Sequence, residues 1–277
     1  MSDIPKGPAS VRASYRELIS FVRYFRHFGA PVIVGGWAVY FYNPYYGSVD
    51  IDVVGPSLSG AFDEIIEGYE RSHGYEILQQ DPLGTEITAS KPIYSKGGKR
   101  IGDMEIDACT YERTSASEFH EDGSKTLPYS LCDRHGCRRE ARIAKDTVCY
   151  VPSKALLALF KVKAKRDRSY DIRTKGATMN PSRLAWLRGK LAKDGSDIIA
   201  LLDPRDRGAM LKDAMNYAQI HALAAEFGLT DLVTDTLQEV LKDRRSLTLY
   251  GRSVDTSLLL KSVARGTATP PRRTTRH

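Results

Sequence analysis

The 277-residue chain has no apolar run long enough to span a bilayer and no apolar N-terminal segment of the signal-peptide kind. The first absence excludes a membrane-spanning helix, and the two together make a reducing cytoplasm the expected setting. Cysteine is scarce. Cys109, Cys132, Cys137 and Cys149 do not follow the paired spacing of a zinc ribbon. Only Cys132 and Cys137 lie close together, with His135 between them; a hairpin tether and a metal site both stay open there, and buried or free thiols are the expected state. The six histidines do not cluster at ligand spacings, and Cys109 and His120 lack the setting of a nucleophile and its base. No P-loop lysine follows the glycine pair Gly35-Gly36, which argues against a Walker-type NTPase. There is no internal repeat.

What the chain does contain is an ordinary globular composition, 42% hydrophobic and 27% charged, with room for one large or two modest domains. Its net charge of +7 suits a phosphate-rich partner, RNA included, although proteins that bind none often carry as much. Part of that charge belongs to residues 265–277, which hold four arginines, two prolines and no acid and read as a disordered basic tail.

The most informative local pattern is Ser48-Val49-Asp50-Ile51-Asp52-Val53, which follows the apolar run that ends at Gly35-Gly36. Acids at i and i+2 of a strand point to one face and repel unless something neutralises them. A hard cation such as Mg²⁺, with substrate phosphates in its shell, is the natural partner. The glycines permit a sharp turn and close approach of a phosphate to backbone N–H groups, and a helix starting near Trp37 would aim its positive end there. Taken singly, a glycine pair also reads as a plain strand-to-helix turn and paired acids as a solvated edge. A second acidic alternation, Asp103-Met104-Glu105-Ile106-Asp107, offers Glu105 and Asp107 on one face.

Further signals follow the period of the chain. Helices are expected over 11–28 and 61–72, strands over 32–34, 48–54 and 74–78, and mostly extended segments from 86 to 150 with turns at 96–99, 122–123 and 134–136. From Pro152 the pattern becomes helical, over 154–168, 183–202, 207–227 and 231–241. This places a boundary near Val151 between an N-terminal domain (1–150) and a helical domain (151–264). Lys154, Lys161, Lys165 and Arg168 share one helical face, opposite Leu156, Leu159 and Phe160. Such a stripe is either simply solvated or useful to a nearby polyphosphate.

Val34-Gly35-Gly36 and Asp50-Ile51-Asp52-Val53, with the gap between them, resemble the pattern of the nucleotidyltransferase superfamily typified by DNA polymerase β. The stretch from Leu156 through Lys161 to Arg168, with Lys193-Asp194-Gly195-Ser196-Asp197, resembles the helical half of the AbiEii-type nucleotidyltransferases, which include toxins of toxin–antitoxin systems. The resemblance implies an α/β (α+β) fold in which a mixed sheet with flanking helices precedes a helical domain that completes the nucleotide pocket. It implies that Asp50, Asp52 and Asp107 hold Mg²⁺ or Mn²⁺, with Asp107 accepting the proton of the attacking hydroxyl. Glu105 is the less suited third acid, because Asp107 has the apolar-acid-apolar context usual in that family. Gly35, Gly36, Ser48, Lys161, Lys193 and Asp194 would bind the nucleoside triphosphate.

The implied reaction moves a nucleotide monophosphate from an NTP to an acceptor hydroxyl, with RNA, above all the 3′ end of tRNA, as the expected acceptor and an antitoxin as a protein partner. A small-molecule nucleotidyltransferase of the antibiotic-modifying type is the alternative, as is a non-catalytic nucleotide- or RNA-binding module. Two departures from the pattern stand out. Tyr45 and Tyr46 occupy the place where relatives carry a basic residue, so phosphate charge must be met from another element. Residues 171–188 read as an insertion between the two helical segments.

Overall fold

Strands form where β-branched and apolar residues alternate between turns. They are β1 (Val32–Ile33), β2 (Ile51–Gly55), β3 (Glu76–Gln80), β4 (Glu86–Tyr94), β5 (Arg100–Thr110), β6 (Glu118–Phe119), β7 (Asp122–Thr126), β8 (Arg138–Ala144) and β9 (Thr147–Pro152). The computed structural model describes residues 8–29, 31–56, 61–80, 85–112, 115–205 and 208–266. Seven strands build one sheet in the order β3-β4-β5-β2-β1-β9-β8, while β6 and β7 pair apart from it. The β2–β5 and β1–β9 pairs are parallel and the other pairs of the large sheet antiparallel, so the sheet is mixed. The parallel β2–β5 pair matters most, since it carries two of the acids.

Helices α1 (Ala9–Phe25), α2 (Gly35–Tyr42) and α3 (Ala61–Ser72) belong to the sheet-forming part. After Pro152 come α4 (Lys154–Lys175), α5 (Pro181–Leu202), α6 (Tyr217–Glu226), α7 (Thr230–Val240), α8 (Arg244–Tyr250) and α9 (Thr256–Gly266). The architecture is therefore α+β, a mixed sheet with flanking helices followed by a helical part. A continuous apolar core runs from α1 and the sheet into α4, α5, α6 and α7.

α1 has no capping side chain, and its stability comes from the buried face of Tyr15, Leu18, Phe21, Val22 and Phe25. Each such side chain contributes roughly 1.5–3 kcal/mol on full burial, which outweighs helix propensity. Two polar contacts fix its placement. Tyr15 donates to the Ile143 carbonyl at 2.9 Å, and Trp37 Nε1 donates to Ser14 Oγ at 3.0 Å, which ties α1 to β8 and to α2.

Several boundaries differ from the sequence pattern. β2 starts at Ile51, so Asp50 stands just before the ladder. His120 and Glu121 make the tight turn expected at 122–123, and Gly123 lies inside β7. The helix expected over 207–227 is confined to Tyr217–Glu226: the Met210 and Leu211 N–H groups donate to the Phe41 carbonyl, and Asn216 caps α6 by accepting from Gln219 N. The ends α8 and α9 were not expected. Residues 171–188, read as an insertion, are mostly helical: α4 runs unbroken to Lys175 and α5 begins at Pro181 under an Asn180 cap. The two form a long antiparallel hairpin. Of the expected basic tail, residues 267–277 lie outside the described residues, and 265–266 end α9.

The four cysteines are buried free thiols. Burial pushes Cys149 up to about 12 and raises Cys132 and Cys137 as well, which keeps them protonated and unreactive. The tether across Cys132 and Cys137 is absent. Among the described residues no three His, Cys, Asp or Glu side chains are grouped to hold a metal ion. No helix of the described residues is long and apolar enough to cross a membrane.

Candidate active site

The site begins where β1 ends. Val34 is extended and donates its N–H to the Asp52 carbonyl at 2.9 Å, and the chain then enters α2 through Gly35 at φ 61°. The helix thus starts at Gly35, two residues before the expected Trp37. A Cβ on Gly35 would stand 1.8 Å from Asp52 Oδ2, and one on Gly36 would stand 2.7 Å from Ser48 Oγ. Both glycines are needed for close approach, and Gly35 also for its left-handed backbone. Gly35→Ala is expected to push Asp52 off its position, lowering the unfolding midpoint by several degrees in a thermal scan.

Two carboxylates meet beside this turn. Asp52 of β2 and Asp107 of β5 are register partners in parallel strands, and Thr88 of β4, the partner of Asp107 on its other side, donates to Asp107 Oδ1 at 2.8 Å. Burial first, then the charge of Asp52, pushes the Asp107 carboxyl up to about 7, against the smaller opposing effect of Thr88. The ladder starts at Ile51 opposite Ile106, which leaves Glu105 beyond its end. Register therefore sets Asp107 and not Glu105 against Asp52. Glu105 still lines the cleft, its carboxyl raised by burial and by Asp50. Asp50 itself accepts from Lys190 Nζ at 2.7 Å, an interaction that the sequence pattern did not suggest.

The cations come from the α4–α5 hairpin. Lys161 Nζ lies 2.8 Å from Asp197 and 3.6 Å from Asp194, and Arg168 is paired with Asp194. Lys193 donates to Asp197 at 2.5 Å, and Tyr45 donates to the same carboxylate at 2.6 Å. Burial alone would raise the Asp197 carboxyl, but Lys161 and Lys193 outweigh it and hold it below the usual range. Burial lowers Lys193, and the neighbouring Lys161 lowers it further. Lys161 is held above the usual lysine value by Asp197, Asp194 and Asp52 in spite of its burial.

The Lys193 ammonium also lies 5.4 Å from the Tyr45 ring centroid and 5.5 Å from that of Tyr46. Positive charge thus reaches the tyrosine pair from another element. The expected basic stripe of α4 divides: Lys161 and Arg168 face the cleft, Lys165 turns to Glu239 and Asp243, and Lys154 lines a different cavity. Helical packing on two sides accounts for the split.

Two adjoining cavities, of about 310 and 520 Å³, share Asp52, Asp107, Lys161, Arg168 and Asp194. Gly35, Thr88, Tyr129 and Phe160 line the smaller, and Gly36, Ser48, Asp50, Lys190 and Lys193 line the larger. Both volumes are within the range of ligand pockets. All nine residues singled out from the sequence, Gly35, Gly36, Ser48, Asp50, Asp52, Asp107, Lys161, Lys193 and Asp194, line one cavity or the other.

No protein-family model matches the chain, and no curated protein matches it in sequence. Among solved structures, one similar in outline is an H. pylori protein provisionally assigned as a nucleotidyltransferase, at 11% identity and a TM-score of 0.39 over 94% of this chain and 98% of that one. Another is the Helicobacter pylori protein JHP933, at 12% identity and a TM-score of 0.36 over 89% of this chain and 100% of that one. These likenesses are distant.

The donor set suits a hard cation. The larger cavity is lined by six carboxylates against four cationic side chains, and all the acidic ligands are oxygen. Among the described residues no three such groups converge on one point, and Asp50 is held by Lys190. Asp52 and Asp107 alone make the two-carboxylate arrangement that Mg²⁺ uses when phosphate oxygens and water complete its shell. The sequence pattern missed Lys190, Thr88, Tyr129 and the central place of Asp197. The spacing of Lys190, Asp194 and Asp197 with Lys193 carries the one usable signal, since positions three and four apart share a helix face.

Proposed function

We propose that the chain is a metal-dependent nucleotidyltransferase that moves a nucleotide monophosphate from an NTP onto an acceptor hydroxyl. The observation that carries this reading is the register pairing of Asp52 with Asp107 beneath the Gly35 turn, in a cavity that Lys161, Arg168, Lys190 and Lys193 also line. It is supported by the superfamily pattern in Val34-Gly35-Gly36 and Asp50-Ile51-Asp52-Val53.

The triphosphate lies along the Gly35 and Gly36 N–H groups and Ser48, and its charge is met by Lys161, Lys193, Arg168 and Lys190. When bound at Asp52 and Asp107, Mg²⁺ or Mn²⁺ supplies neutralisation of the triphosphate and acidifies the acceptor hydroxyl. Asp50 would be a further carboxylate to hold the cation, and Lys190, its partner here, would meet a phosphate. Asp107 takes the proton as the acceptor oxygen bonds to the α-phosphorus, while the bond to the departing pyrophosphate breaks. Thr88 holds Asp107 in place through this step.

The acceptor in this reading is RNA, with the 3′ end of tRNA favoured and an AbiEii-like toxin role controlled by an antitoxin. The test is incubation of the full chain with each labelled NTP and Mg²⁺, in the presence of total tRNA, a cell extract or an aminoglycoside panel, followed by nuclease and protease digestion. Label that nuclease releases from tRNA supports the reading. Label on the aminoglycosides alone makes it a small-molecule enzyme, and no transfer from any of the four NTPs makes it a binding module.

A further inference from the structure

Residues 172–193, which form the outer part of the α4–α5 hairpin, contain six basic residues and no acid. This segment has its own charge character, and catalysis at Asp52 and Asp107 uses only its inner end. Arg183 and Arg188 are exposed, whereas Arg173 and Lys175 are tied to Glu121 and Asp171. Trp186 is 44% exposed, lines the larger cavity, and has the Arg183 guanidinium 4.1 Å and the Lys190 ammonium 5.3 Å from its ring centre. Tyr46, 52% exposed, lines the same cavity.

A lone exposed tryptophan is ordinary on a protein surface. One that lines a cationic cavity, with Lys190 and the exposed Arg183 on its own face of an acid-free helix segment, has the make-up of a single-strand platform, in which bases stack on aromatic rings and phosphates meet basic side chains. Reach separates the two nucleotides that such a ring can stack. Arg183 lies about 10 Å along the helix from Lys190, outward from the Gly36 and Ser48 end of the cavity. A polymer that leaves the cavity spans that distance better than one mononucleotide does.

We propose that the α4–α5 hairpin docks the unpaired end of a nucleic-acid acceptor, with a base stacked on Trp186 and an adjacent phosphate on Arg183. This rests on the reading of the acceptor as RNA, but its test needs no chemistry. Fluorescence anisotropy without NTP compares a labelled RNA hairpin bearing a short 3′ overhang with the same hairpin made blunt, using the full chain, Trp186→Ala, Trp186→Phe and Arg183→Gln.

The overhang is expected to bind more tightly than the blunt end to the parent chain. Trp186→Ala should weaken overhang binding about 10-fold and Trp186→Phe should nearly restore it. Arg183→Gln should flatten the log–log salt dependence by about 0.7, the slope of one phosphate no longer neutralised. Circular dichroism checks that each variant is folded. Overhang binding that survives Trp186→Ala overturns the proposal. So does a Trp186→Ala effect on a labelled non-hydrolysable NTP and not on RNA, which would assign the ring to the donor base. Heparin that displaces RNA from parent and Trp186→Ala alike would leave only a polyanion or acidic-protein surface, and overturns it too. Overhang binding as expected with no transfer from any NTP would sink the transferase reading and leave the docking site standing.

Discussion

Asp107→Asn is expected to reduce transfer by about 10³-fold or more while making the folded chain more stable at neutral pH. The two effects have one origin. Asp107 is buried beside Asp52, and its carboxyl is pushed up to about 7. An acid whose folded pKa exceeds its unfolded value costs nothing while both states are protonated. Its cost appears as pH rises above the unfolded value near 4 and is complete above about 7. Asparagine removes that cost and still accepts the Thr88 hydrogen bond, but it neither takes a proton nor binds a cation. Urea titrations should therefore show a gain on the order of 2 kcal/mol at pH 8 and almost none at pH 4. Equal loss of stability at both pH values would mean that Asp107 serves the fold. Retained transfer would remove it from the reaction altogether.

The largest loss of stability is expected from Asp197→Ala. Asp197 is fully buried, lies against both Lys161 and Lys193, and accepts from Tyr45. Its removal leaves two largely buried ammonium groups with Asp194, and for Lys161 also Asp52, as their remaining nearby acids, which costs about 3–5 kcal/mol by analogy with other broken buried pairs. Urea denaturation would measure this. Asp197→Ala combined with Lys161→Met should recover part of the loss, since an apolar side chain has no charge to strand. If the single variant is as stable as the parent, the lysines must find other partners and the charge cluster is not a unit. Transfer should fall in the single variant as well, because Lys161 and Lys193 lose the group that positions them.

Much of the site was legible in sequence because its parts are local. Gly35 and Gly36 reveal a tight backbone, and Asp50 and Asp52 reveal an acidic alternation, through spacing alone. Asp107 was legible through the same period-2 pattern on a second strand. Lys190 was not, because its partner Asp50 is 140 positions away and only the return of α5 across the sheet brings them together. The division of the α4 stripe was hidden for a related reason: one helix face can meet two neighbours, and periodicity does not say which. The helix expected at 207–227 failed because the Phe41 carbonyl and the Asn216 cap compete for its first half. The helical state of 171–188, where α4 and α5 continue on either side of a short turn, was hidden because the apolar spacing of each helix core stops short of it.

By itself the sequence determined the α+β order of elements, the glycine turn, the three acids and the basic and acidic residues of the helical part, because these depend on spacings within single strands and helices. The tertiary structure alone decided that Asp107 and not Glu105 opposes Asp52, that Lys190 holds Asp50, and that Asp197 joins Lys161 to Lys193. Those pairings depend on strand register and on the crossing of α4 and α5, where atoms far apart in the chain come within hydrogen-bond distance and away from water.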